Sequence, residues 1–158
     1  MTLPAVDQLV TLTYHMVSLA DHMGPEYVMK ITRFSDLELF ATPGGNESAG
    51  LATHAVGATE ISLVYQRQAP DGLNPNHFHN CEEVMRQLAG QSTVSIDGEE
   101  INLVPGDTLI IPANTLHSIR NLGTQTSEWL IISRQEVRFF KEDKSELRPI
   151  WAGQSQAA

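Results

Sequence analysis

In the stretch Asn76–Glu83, NHFHNCEE, two of the chain's six histidines stand one residue apart and a carboxylate follows four residues after the second. In an extended strand, residues two apart share a face, so His77 and His79 present both imidazoles on one side. Glu83 keeps that parity if the intervening turn preserves it. Two imidazoles and a carboxylate form a borderline-soft donor set, suited to Fe, Mn, Co, Ni, Cu or Zn rather than to Mg or Ca. Three ligands so close in sequence cannot enclose an ion, so a fourth is expected from elsewhere. His117, which opens a later strand after Pro112-Ala113-Asn114, is the best candidate. His54 has no acidic or histidine neighbour at ligand spacing and reads as structural or exposed. His15 and His22, seven residues apart, read as a solvated helix face, because helix neighbours lie three or four apart.

The elements that must hold these residues are mostly strands. Leu9, Leu12, Met16, Leu19 and Met23 recur at helical spacing, so Val6–Met23 reads as a helix stopped by Gly24-Pro25. From Glu26 the period changes to two. Tyr27–Phe34, Asp36–Thr42 and Ile61–Gln66 read as strands, with Pro43–Ser48 as a loop. Further strands are expected at Glu83–Leu88, Ser92–Ile96, Glu100–Val104, Thr108–Ile111, Ser118–Asn121 and Glu128–Ser133. Turn residues link them, and Asp97-Gly98 is a strong two-residue hairpin signal, since both central positions favour positive φ. Many short strands at regular spacing predict an antiparallel barrel or sandwich. The domain reading is a helical extension over 1–25, a barrel over 26–151 and a frayed tail over 152–158. Val137–Phe140 and Pro149–Trp151 are expected to pack across the barrel's outside.

Composition narrows the function. A formal charge of −9 and no Lys/Arg run argue against nucleic acid. One cysteine, Cys81, excludes an intrachain disulfide, and the expected setting is cytoplasmic. Val6–Met23 is interrupted by Asp7, His15, Asp21 and His22, so it is not expected to span or bind a membrane.

The residues 72–90 and 106–121 resemble the paired motifs of the cupin superfamily. Gly72, His77, His79, Glu83 and Gly90 follow the first motif, with the interval after Gly72 one residue short. Gly106, Pro112, Asn114, His117 and Asn121 follow the second, with Asn114 in place of a glycine. Asparagine tolerates positive φ next best, so the turn is expected to survive. The resemblance implies an all-β jelly-roll barrel with His77, His79, Glu83 and His117 as the ligands of one divalent transition metal ion per chain: Fe, Mn, Ni, Cu or Zn.

Strand parity then suggests the pocket wall. Met85 and Gln87 follow Glu83 inward, Ile119 follows His117, and Leu63 or Tyr65 with Leu109 and Ile111 line other walls. Such a lining suits a small, neutral or partly aromatic substrate. Glu82 has the wrong parity and reads as a surface carboxylate; Cys81 reads as a small residue at the pocket rim. The function expected is that of a metal-dependent enzyme, foremost a dioxygenase. A non-redox lyase, isomerase or cyclase, or a binding cupin without turnover, stands as the alternative. Small cupins pair, and a homodimer is expected.

Overall fold

The computed structural model describes residues 29–149, so the expected helix Val6–Met23 and the tail 152–158 lie outside the described residues. The strands are β1 (Phe40–Thr42), β2 (Asn46–Ala52), β3 (Ile61–Gln68), β4 (Leu73–His79), β5 (Glu83–Ala89) and β6 (Ser92–Ile96). They continue as β7 (Glu99–Leu103), β8 (Thr108–Ile111), β9 (His117–Arg120), β10 (Ser127–Arg134), β11 (Phe139–Lys141) and β12 (Glu146–Leu147). Two six-stranded sheets result, one ordered β1-β2-β3-β10-β5-β8 and the other β12-β11-β4-β9-β6-β7. Every strand pairing is antiparallel. Between the sheets Met85, Val94, Ile111, Ile119 and Trp129 are almost wholly buried and form one core with Val64 and Ile131. The all-β antiparallel reading holds for the described residues, as two sheets.

The turn chemistry is where the residues require it. Asp97 and Gly98 take φ of 50° and 85°, closing the β6–β7 hairpin with Ile96 opposite Glu99. Asn114 takes φ of 62°, as its place in the motif demands. At Gly90, φ is 63° and an added Cβ would collide with the backbone of Thr126 and Ser127.

Three expectations change. The described part of Tyr27–Phe34 is not a strand; a 3-10 turn occupies Phe34–Asp36, and the strand expected at Asp36–Thr42 shortens to β1. Among the described residues no strand pairs with the alternating residues before β1. Instead, Met29 and Ile31 are exposed and Phe34 packs edge-on against Tyr65, with ring centroids 5.0 Å apart. Pro43–Ser48 is a loop only in part, because β2 begins at Asn46. Asn46 and Ser48 are buried there with their side chains hydrogen-bonded to Gln68 and Gln66, an arrangement that polar composition alone disguises as loop. Val137–Phe140 does not lie across the outside: β11 extends the second sheet beside β4, and Phe139 is buried.

Candidate metal centre

The cluster is assembled by a strand pair and a crossing. In β4 and β9, His77 and His117 are directly opposed partners, with ring centroids 4.2 Å apart. His79, two residues along β4, lies 5.0 and 5.2 Å from those rings. The chain then leaves the second sheet through Asn80-Cys81-Glu82 and enters the first at Glu83, the opening residue of β5. The carboxylate therefore approaches the imidazoles from the facing sheet, with Glu83 Oε2 2.8 Å from His79 Nδ1. The second motif's turn is tied to the first motif's strand, since the Asn114 N–H donates to the His79 carbonyl at 2.7 Å.

One donor atom from each of His77, His79 and His117 lies within 4.8 Å of the others. Two of the rings are fixed by the backbone: Nδ1 of His77 lies 2.8 Å from the Pro75 carbonyl, and Nδ1 of His117 lies 2.9 Å from that of Thr115. Each ring thus donates from Nδ1 and keeps Nε2 as a lone-pair donor, the orientation that metal-ligating histidines require. Both nitrogens of His79, Nε2 of His117 and Oε1 of Glu83 are buried without a hydrogen-bond partner. His79 Nδ1 is thus close to Glu83 Oε2 but not aligned with it as a hydrogen bond. Buried polar atoms are seldom left so. The three histidines form the donor group, one ligand atom from each, and the orphaned atoms on His79 and His117, with Glu83 beside them, fit a divalent ion.

The charge states suit one too. Burial, reinforced by the charges of His117 and His79, pulls the His77 imidazole down to about 4. Burial likewise lowers His117. For Glu83, burial pushes the carboxyl up, but the imidazoles, His79 foremost, outweigh it and hold the group down at about 2. Near neutrality His77 and His117 are neutral and Glu83 is ionised, which are the coordinating forms.

The cluster faces a cavity of about 1140 Å³, bordered by His77, His79 and Glu83 and walled by Leu73, Ile119, Ile131, Phe139 and Leu147. Phe139 packs edge-on against His79 at 4.7 Å. Lys141, Glu142, Asp143 and Arg148 border the cavity beside them.

Of the residues expected at the wall, Ile119 borders the cavity. Met85, Gln87 and Ile111 are buried deeper, with Met85 and Ile111 in the core and Gln87 bonded to Ser127. Leu109 packs against that core. Leu63 and Tyr65 do not border the cavity; the inward parity of β3 belongs to Val64 and Gln66, and Gln66 borders it instead. The opposed parity of β3 could be read only once its neighbours were known, because Ile61–Tyr65 is apolar at both parities apart from Ser62. Glu82 is exposed, and Cys81 is half-buried against the core, outside the donor group. His54 is exposed in a 3-10 turn, as read. Asn74, a cavity residue, was missed for lack of any spacing signal.

Residues 64–133 match the cupin domain family. Auxin-binding protein T92 of Nicotiana tabacum is 33% identical over 85% of this chain and 80% of its own length. Quercetin 2,3-dioxygenase of Bacillus subtilis is 50% identical, but over 37% of this chain and 18% of its own length. Among solved structures, the polyketide cyclase RemF of Streptomyces resistomycificus superposes with a TM-score of 0.63 at 22% identity, covering 79% of this chain and 91% of its own. With both motifs in place on a two-sheet β fold, the chain belongs to the cupin family.

Proposed function

We propose that this cupin is a metal-dependent enzyme acting on a small, partly aromatic organic molecule, with dioxygenation as its reaction class. The observation that carries the reading is the group of buried, unpartnered imidazole and carboxylate donors bordering a wide cavity with apolar walls. His77, His79, Glu83 and His117 would hold the ion. What a divalent ion supplies there is Lewis acidity and, for iron, copper, nickel or manganese, one-electron reactivity toward dioxygen.

This chain's residues do the rest. The carbonyls of Pro75 and Thr115 hold the tautomers of His77 and His117. Phe139, Ile119 and Ile131 offer an apolar surface to a ring. Glu83 brings one negative charge to the cluster and, among the described residues, is the carboxylate paired with His79. The identity with quercetin 2,3-dioxygenase supports oxygen chemistry, although it covers a minor part of each chain.

The test is oxygen uptake by protein reconstituted anaerobically with Fe(II), Mn(II), Ni(II) or Cu(II) and supplied with quercetin. Substrate-dependent uptake that disappears in His117→Ala supports the reading. A second reading, a cupin that binds a small organic ligand without turnover, draws on the likeness to auxin-binding protein T92 over most of the chain. Saturable ligand binding with no oxygen uptake and no product for any of the ions would favour it.

A further inference from the structure

Another polar feature stands in the same cavity, away from the histidines. Gln66 on β3 and Asn74 on β4 come from different sheets, and both border the cavity. Asn74 Nδ2 donates to Gln66 Oε1 at 3.0 Å, and Gln66 Nε2 donates to the buried Ser48 Oγ at 2.9 Å. Ser48 thus fixes which way the Gln66 carboxamide points. Among the described residues, Asn74 Oδ1 accepts no hydrogen bond, and each amide nitrogen has one N–H unused. Leu73, Ile119 and Ile131 are the apolar residues that share the cavity wall with them, beside the hydroxyls of Thr42 and Ser118.

Polar groups set in an apolar wall with unused bonding capacity are what orients a ligand in a pocket. The pair carries no charge, so its complement is a neutral group, and a hydroxyl, which both donates and accepts, fits best. Strand spacing places the pair relative to the metal donors. Asn74 lies opposite Ile119, and His77 lies opposite His117. The two levels are therefore two residues apart on β9 and three apart on β4, or about 7–10 Å at the rise of a strand. A single ring does not reach both; two fused or linked rings do.

We infer that the Gln66–Asn74 amide pair determines specificity: it selects, among molecules that engage the histidine cluster, those with a neutral hydroxyl or carbonyl about 7–10 Å from the coordinating group. The inference rests on the metal-centred reading above. A merely structural role, tying the two sheets together, would change stability without changing which ligand is preferred.

The experiment compares dissociation constants for quercetin and 3-hydroxyflavone, which share the hydroxy-ketone head but differ in the remote hydroxyls. Binding is followed by fluorescence quenching with metal-loaded and metal-free full-length protein. Wild type should prefer quercetin roughly tenfold, the worth of one or two hydrogen bonds. In Asn74→Ala the preference should fall to within about twofold of unity, mainly through loss of quercetin affinity. Gln66→Met should do the same, and because Asn74 is only half-buried, its variant decides the matter if Gln66→Met does not fold. An unchanged preference in folded Asn74→Ala overturns the assignment, as does failure of quercetin to bind the wild-type protein. A preference that responds to Asn74→Ala while neither affinity depends on metal supports the amide pair and overturns the metal-centred reading alone.

Discussion

His77 and His117 face each other across β4 and β9 as directly opposed residues, and each has Nδ1 within 2.9 Å of the carbonyl two residues before it. The same local bond recurs on two strands that run antiparallel, so the two rings are aimed by their own backbones rather than by the ion. A site prepared in this way needs little rearrangement to bind metal.

The first consequence concerns acid. The folded state holds His77 down at about 4, whereas an unfolded histidine titrates near 6.5. Between those values the unfolded chain takes up a proton that the folded chain refuses, so stability falls as pH drops from about 6.5 towards 4. Glu83, held at about 2, continues the trend, because its contribution is full above the unfolded value near 4.5 and is lost as pH falls towards 2. Urea denaturation of metal-free protein at a series of pH values should show the midpoint decreasing steadily below pH 6.5. A midpoint flat from pH 7 to 4 would contradict these charge states.

Gly90 closes the first motif for a steric reason. Its φ of 63° and the nearby backbone of Thr126 and Ser127 leave no place for a Cβ. Gly90→Ala should lower stability by about 2–4 kcal/mol, combining left-handed strain with overpacking. Chemical denaturation measures this directly, and a loss below about 0.5 kcal/mol would show that the turn relaxes.

Asn114 makes the opposite case. Its φ of 62° is tolerable for asparagine and ideal for glycine. Asn114→Gly should change stability by less than about 1 kcal/mol, whereas Asn114→Val should cost about 1–2 kcal/mol and weaken metal binding. The second effect follows because the Asn114 N–H holds the His79 carbonyl. Metal titrations of the two variants, side by side, check the link.

Asn121 is wholly buried. Its Nδ2 donates to the Gln68 and Gln125 carbonyls at 3.0 and 2.8 Å, while Oδ1 accepts from the Gly123 N–H at 3.0 Å. Asn121→Ala leaves three backbone groups without that partner and should cost about 2–4 kcal/mol. Thermal unfolding of the variant would show it, and a melting temperature equal to wild type would mean that water replaces the amide.

Local rules made much of this legible. The alternation of His77 and His79 needs only strand parity to share a face, and the motif order supplies Glu83 and His117, although Glu83 reaches the cluster from the facing sheet and not by the parity of β4. Asp97-Gly98 reads as a hairpin from φ preference alone, and does so in the fold. What failed to show depends on partners distant in sequence. Ile61–Tyr65 carries apolar residues at both parities, so only pairing with β10 and β2 reveals that Val64 and Gln66 face inward. Phe139 enters the cavity wall because β11 pairs with β4, although 59 residues lie between His79 and Phe139, and no spacing rule reaches that far. Asn46–Ser48 looks like loop, and becomes strand once Gln66 and Gln68 receive its polar side chains.

The central claim is that the buried donors hold a divalent ion, and elemental mass spectrometry tests it most directly. Wild-type protein and His79→Ala would be reconstituted anaerobically with Fe(II), Mn(II), Ni(II), Cu(II) or Zn(II), then desalted and measured for metal per chain. The account predicts about one ion per wild-type chain for at least one of the metals, falling at least tenfold in the variant. Wild type that retains no more metal than His79→Ala, across all five ions, would contradict it.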